Sequence, residues 1–168
     1  MENLLIIGVI LFLLLILSFV WPPDSPWAPW WRTSKSTAIR ICKLANIKKD
    51  DLIYDLGSGD GTALIVAAKD FGAKGVGIEI EPTRALISRF LIKKNNLEDK
   101  IKIKRQNFFT VNLSNADVVF LYLVPKTLEK LIPKFKKELK KGTRVISYKY
   151  KMNLKLINKD EDIFLYII

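Results

Sequence analysis

Hydrophobic positions follow two regimes along the chain. From Leu4 to Trp21, 16 of 18 residues are hydrophobic, interrupted only by Gly8 and Ser18 and carrying no charge. A helix of that length rises about 27 Å, close to the roughly 30 Å hydrocarbon core of a bilayer, so the pattern predicts one transmembrane helix within residues 1–21. The competing reading is a cleaved signal peptide, which needs a basic start and a small-residue cleavage site. Met1-Glu2-Asn3 has no base, and Trp21-Pro22-Pro23 is bulky and rigid.

From Thr33 onward, short apolar runs alternate with stretches of helical periodicity. Ala38, Ile41, Cys42 and Ala45 recur at helical spacing behind the cap candidates Ser34 to Thr37, predicting a helix over about 36–46 with Cys42 in the core. Strands are expected at Leu52 to Leu56, Gly75 to Ile80, Ile101 to Arg105, Asp117 to Leu123 and Thr143 to Tyr148. Between them lie helices over about 62–71, from Pro82 to near Asn95-Asn96, and from Pro125 to Gly142, the last kinked by Pro133. Leu154 to Ile157 and Ile163 to Ile168 read as two further strands around the turn Asn158-Lys159-Asp160-Glu161. The fold class is therefore α/β: a Rossmann-like, doubly wound, mostly parallel sheet with ligands at the carboxyl ends of its strands.

Composition divides at the same place as the pattern. All four tryptophans (Trp21, Trp27, Trp30, Trp31) stand among Pro22, Pro23, Pro26 and Pro29. Residues 22–32 thus read as an interfacial linker between the anchor and a domain over 33–168, or else as aromatics packed on that domain. Residues 1–31 carry only Glu2 and Asp24, whereas residues 32–168 carry 28 bases against 15 acids, a net of +13. The positive-inside rule then places the domain on the cytoplasmic side of a single-pass membrane protein. Its charge suits an anionic membrane surface; short lysine runs at helix ends with few aromatics between them do not require nucleic acid. With no histidine and a single cysteine, a His-based triad, a His-ligated metal and an internal disulfide are excluded, and no metal site is expected.

The most informative stretch is Asp55-Leu56-Gly57-Ser58-Gly59-Asp60-Gly61. Its G-x-G-x-G spacing puts Thr62 where the dinucleotide fingerprint has its third glycine, and the P-loop lysine is missing. Glycines at a strand-to-helix turn let a ligand approach the backbone, while Asp55 and Asp60 would repel a phosphate and suit an ammonium and a sulfonium. Glu79, at the end of the second strand, is placed to accept hydrogen bonds from both hydroxyls of a ribose. A cationic adenosine ligand is S-adenosylmethionine.

On these residues the domain resembles the class I (seven-stranded) methyltransferases. In that class a polar residue after the third strand contacts the adenine, which implies Asn107, or else Gln106. Tyr54 to Gly61, Gly75 to Pro82 with Ser88-Arg89 behind it, and Leu123-Val124-Pro125 resemble the small membrane-anchored lysine methyltransferases that modify the ADP/ATP carrier and the c-ring protein of ATP synthase, distantly similar to the Dot1-type enzymes. The resemblance implies lysine methylation of a protein at or in the membrane; a monomer is expected. It weakens after the fifth strand, where Lys149-Tyr150-Lys151-Met152-Asn153 replaces a Pro- and aromatic-rich stretch. Tyr122 and Pro125, just past the fourth strand, are the candidates for the channel that presents the amine. The Asn/Asp-Pro-Pro-Tyr/Phe motif of adenine methyltransferases is missing there. Two other readings share these features: methylation of a small molecule, lipid or RNA, and a non-catalytic basic module tethered to a membrane.

Overall fold

A computed structural model describes residues 6–14 and 31–168. Residues 6–14 are helical and exposed throughout. Among the described residues, no helix is long and apolar enough to cross a membrane. The rest of the expected anchor, and the linker up to Trp30, lie outside the described residues.

Seven strands form one sheet: β1 (Leu52–Leu56), β2 (Lys74–Ile78), β3 (Ile101–Lys104), β4 (Val118–Leu121), β5 (Arg144–Tyr148), β6 (Leu156–Asp160) and β7 (Ile163–Ile167). Their order is β3-β2-β1-β4-β5-β7-β6, so the chain crosses from one half of the sheet to the other between β3 and β4. The first five strands pair in parallel, and β7 pairs antiparallel with both β5 and β6. The central strands are buried on both sides, which is why they read as unbroken apolar runs rather than alternating ones.

Helices α1 (Lys35–Leu44), α2 (Thr62–Phe71) and α3 (Pro82–Lys94) cover one face. There Ala38, Ile41, Cys42, Leu64, Ala67 and Ile92 share a core with Ile53, Val118, Phe120 and Ile146. Burial pushes the Cys42 thiol up to about 12, with help from the nearby Asp70 charge, so it is core packing and not a nucleophile. The opposite face carries α4 (Pro125–Glu138), whose Leu128, Leu131 and Phe135 meet Tyr54, Leu56, Val119 and Tyr166. No α-helix joins β3 to β4; a 3-10 turn at Phe108–Thr110 and the buried Val111 and Leu113 cover that part of the sheet.

Each helix start is chemically specified. Ser34 caps α1 by accepting from the Thr37 amide (3.0 Å), Glu81 caps α3 ahead of Pro82, and Pro125 opens α4, which runs on through Pro133.

Three expectations are corrected. β2 and β4 end at Ile78 and Leu121, two residues short of the apolar runs that announced them, because the chain leaves the ladder there to line the ligand-facing edge. The expected turn at Asn158 to Glu161 is mostly strand: β6 continues to Asp160, and the chain reverses at Glu161 (φ 51°) and Asp162. The reason is long-range: Arg40 of α1 holds both carboxylate oxygens of Asp160 at 2.8 Å, fixing charged residues in an exposed edge strand.

Candidate active site

The glycine turn, Asp55, Glu79 and Tyr122 meet where β1, β2 and β4 end, whereas Asn107 and Gln106 stand apart on the exposed loop after β3. Asp55 lies on β1 between Gly77 of β2 and Phe120 of β4. The turn behind it folds back on β2: the Gly57 and Ser58 amides both donate to the Ile78 carbonyl (2.8 and 3.1 Å). Gly57, Gly59 and Gly61 all have positive φ (85°, 54° and 78°), a region that L side chains rarely adopt. Gly77 matters for a different reason. A Cβ there would lie 2.6 Å from Ser58 Oγ and 2.5 Å from Ile103 Cδ1, so its bare backbone is what admits the turn.

Glu79 is buried just beyond β2, and its position is over-determined. One carboxylate oxygen accepts from the Gly59 amide and the other from the Glu81 amide, both at 2.9 Å. Its own amide donates to the Lys104 carbonyl at the end of β3 (3.1 Å). The glycine turn and the second acid are thus one unit, with lone pairs left on both oxygens for a diol. The neighbouring Ile80 is 59% exposed, an apolar side chain beside that acid which no motif in the sequence marks. For Glu81, burial alone would raise the carboxyl pKa. Hydrogen bonds from Thr83 and Arg84 more than offset this and hold it below the usual carboxylate range.

Asp60 has two partners that the sequence did not announce. One oxygen accepts from the amide and hydroxyl of Thr62 (3.1 and 2.7 Å), which caps α2 from just outside Gly61. The other accepts from Arg32 (Nε at 2.8 Å, Nη2 at 2.6 Å). Asp55 is different: it is buried, and among the described residues nothing donates a hydrogen bond to its carboxylate. Burial, then the charges of Glu79 and Asp60, push it up to about 7.

Asn107 is exposed on the loop after β3, its side-chain oxygen accepting from the Phe109 amide (3.0 Å) to cap the 3-10 turn. Gln106, also exposed, reaches Thr110 at 3.4 Å. Tyr122 follows β4 directly, and Pro125 is exposed in the first turn of α4. The Tyr122 ring meets Tyr148 of β5 edge-on at 4.6 Å and Trp31 at 6.0 Å. Burial raises the Tyr122 hydroxyl above its ordinary value, so it stays protonated at neutral pH. Tyr148 was readable as a strand end; Trp31 and Arg32 join the site across distances that no local pattern encodes.

This strand order, with its antiparallel strands at one edge and an acidic glycine turn at the crossover, defines a class I methyltransferase. The chain belongs to the family of the ANTKMT methyltransferase domain, whose model matches residues 55–156. It is 39% identical to a protein-lysine N-methyltransferase of Saccharolobus islandicus over 87% of this chain and 95% of that one. It is 29% identical to the human lysine N-methyltransferase that is named for the c-type subunit of ATP synthase, over 66% of this chain, which spans 46% of that longer relative. Among solved structures, an RNA methyltransferase from Salinibacter ruber bound to S-adenosyl-L-homocysteine superposes with a TM-score of 0.77 at 34% identity, over 82% of this chain and 94% of that one.

The protein is a methyltransferase dependent on S-adenosylmethionine, and the residues present fit that molecule. Three acids, Asp55, Asp60 and Glu79, influence one another electrostatically, and Asp55 has no cation of its own. A ligand bearing an ammonium and a sulfonium would supply the missing charge, and Glu79 would be the residue to take the ribose hydroxyls. When bound, S-adenosylmethionine supplies an electrophilic methyl group on sulfur. The chain's part would be to hold that group in line with an acceptor near the ends of β4 and β5, where Tyr122 and Tyr148 stand side by side.

Proposed function

We propose that the protein transfers methyl groups to lysine side chains of proteins at or in a membrane. The observation that carries the acceptor is the match, over nearly the full length of both chains, to a protein-lysine N-methyltransferase. The site chemistry agrees with it. A lysine must be neutral to act as a nucleophile, and the partly exposed Tyr122 and Tyr148 leave a route by which its proton would pass to solvent without a dedicated base. Membrane confinement rests on the apolar run from Leu4 to Trp21 and on the +13 of residues 32–168, facing a cytoplasmic leaflet that attracts each nearby base by about 1 kcal/mol.

A second reading, RNA as acceptor, is favoured by the likeness to the Salinibacter ruber RNA methyltransferase. One experiment separates them. The full chain is incubated with methyl-labelled S-adenosylmethionine and a mixture of membranes, soluble protein and RNA, and each fraction is digested. Label recovered as methyllysine supports the proposal; label confined to nucleosides or lipid overturns it.

A further inference from the structure

Two consecutive residues tie the amino-terminal segment to the two halves of the site. Trp31 lies against Tyr122, which in turn meets Tyr148, while Arg32 pairs with Asp60 in the cofactor turn. Tyr122 and Tyr148 follow paired residues, Leu121 and Ser147, so they stand side by side at the carboxyl edge of the sheet. The Trp31 side chain is half exposed, and the Tyr122 and Tyr148 side chains are partly so. Three aromatic rings from three separate parts of the chain thus cluster at the carboxyl edge of the sheet, and the residue after Trp31 reaches the glycine turn. One of them already attracts an ammonium: Lys149 Nζ lies 5.4 Å from the centre of the Tyr148 ring, held by Asp162 at 2.8 Å.

We infer that Trp31, Tyr122 and Tyr148 form an aromatic receptor for the acceptor's amine, and that Arg32, bonded to Asp60, positions its Trp31 wall over the cofactor turn. The inference rests on the lysine reading above. The chemistry of transfer explains why aromatic faces suit this place. The amine lone pair forms the new nitrogen–carbon bond as the methyl–sulfur bond breaks and leaves its electron pair on sulfur. Positive charge moves from sulfur to nitrogen, and the product ammonium then releases a proton to solvent. Ring quadrupoles attract the charge as it arrives on nitrogen, and they hold a methylated ammonium, whose weak hydration suits an aromatic wall, without needing a hydrogen-bond acceptor. A hydroxyl, whose methylated product is a neutral ether, leaves no such charge for these rings to hold. Arg32 acts through its neighbour: the guanidinium grips a carboxylate that is itself fixed by Thr62, so the cofactor turn and the Trp31 wall move together.

The test uses the full chain and two acetylated glycine-X-glycine peptides, where X is trimethyllysine or its neutral carbon isostere. Calorimetry of the wild type is expected to show the cationic peptide binding at least about fivefold more tightly, in line with one or two cation–π contacts. Trp31→Ala should abolish that preference, Trp31→Phe should restore most of it, and S-adenosylmethionine affinity should stay within about threefold in both. With an unmethylated lysine peptide, Trp31→Ala should raise KM several-fold more than it lowers kcat. Arg32→Ala should reproduce the Trp31→Ala effect, and the double variant should be no worse than either. Equal binding of the two peptides by the wild type, or an undiminished preference in Trp31→Ala and in Tyr148→Leu, overturns the receptor. A wild type that labels no lysine overturns the acceptor reading instead, and it does so whatever the variants bind.

Discussion

Replacing Asp55 with asparagine should make the ligand-free protein more stable and a worse enzyme. The carboxyl is pushed from its ordinary 3.8 up to about 7 by burial and by the charges of Glu79 and Asp60. The rise from 3.8 to about 7 corresponds to a differential stability on the order of 4 kcal/mol. The sign follows from the folded state holding the proton more tightly than the unfolded one. Stability is full below about pH 4, declines as pH rises, and levels off once pH has passed about 7. An asparagine removes that loss but leaves a buried amide short of partners, costing about 1–3 kcal/mol. The net gain at pH 8 is therefore about 1–3 kcal/mol, or a Tm rise of roughly 2–12 °C, shrinking to nothing or reversing near pH 4. Ligand binding responds in the opposite direction. A cationic ligand needs Asp55 ionised, so wild-type affinity should climb with pH up to about 7. Binding at pH 6 should also release most of a proton, measured by calorimetry in buffers of different ionisation enthalpy. Asp55→Asn should release none and bind at least tenfold more weakly. A variant that is destabilised at pH 8, or that keeps wild-type affinity and proton release, would refute the assignment of Asp55 as the uncompensated charge at the centre of the site.

Other residues make equally definite expectations. If Glu79 takes both ribose hydroxyls, Glu79→Ala removes two charge-assisted bonds worth about 1.5–3 kcal/mol each and should weaken S-adenosylmethionine binding by 100-fold or more in calorimetry; a loss under threefold contradicts that role. The Ser88 hydroxyl is buried without a hydrogen-bond partner, so Ser88→Ala should be neutral or stabilise by about 1 kcal/mol in denaturant unfolding, whereas a paired hydroxyl would lose stability. Gly61→Ala places a Cβ 2.6 Å from that same hydroxyl at a φ of 78°. It should cost about 1–2 kcal/mol for the backbone conformation plus a steric part, and adding Ser88→Ala should recover the steric part alone.

How much of this was legible in the sequence depends on whether the cause is local. The acidic glycine turn was, because positive φ, a helix start and a pair of carboxylates are all encoded within seven residues. The central strands and their order class were legible too, since Ile53 to Leu56 and Val118 to Leu121 are buried on both sides and carry no solvent-facing alternation. Strand ends were not. Apolar residues continue past Ile78 and Leu121 because Ile80 and Leu123 still have surfaces to cover or ligands to meet after the ladder stops. β6 was half hidden for the opposite reason: it is almost wholly exposed, its burial pattern carries no signal, and its carboxyl end is held by an arginine 120 residues away. Within the site, the sequence marked Asp60 only as an acid near a cationic ligand. Its bond to Arg32 is a tertiary fact, as is the meeting of Trp31 with Tyr122.

The central claim is that this fold methylates protein lysines from S-adenosylmethionine. Proteome-wide mass spectrometry of cells lacking the gene, complemented with either wild type or Glu79→Ala, tests it most directly. The account predicts lysine-borne increments of about 14 Da that disappear with the gene, return with the wild type and stay absent with Glu79→Ala. Lysine methylation unchanged by loss of the gene, or restored equally by both forms, would contradict it.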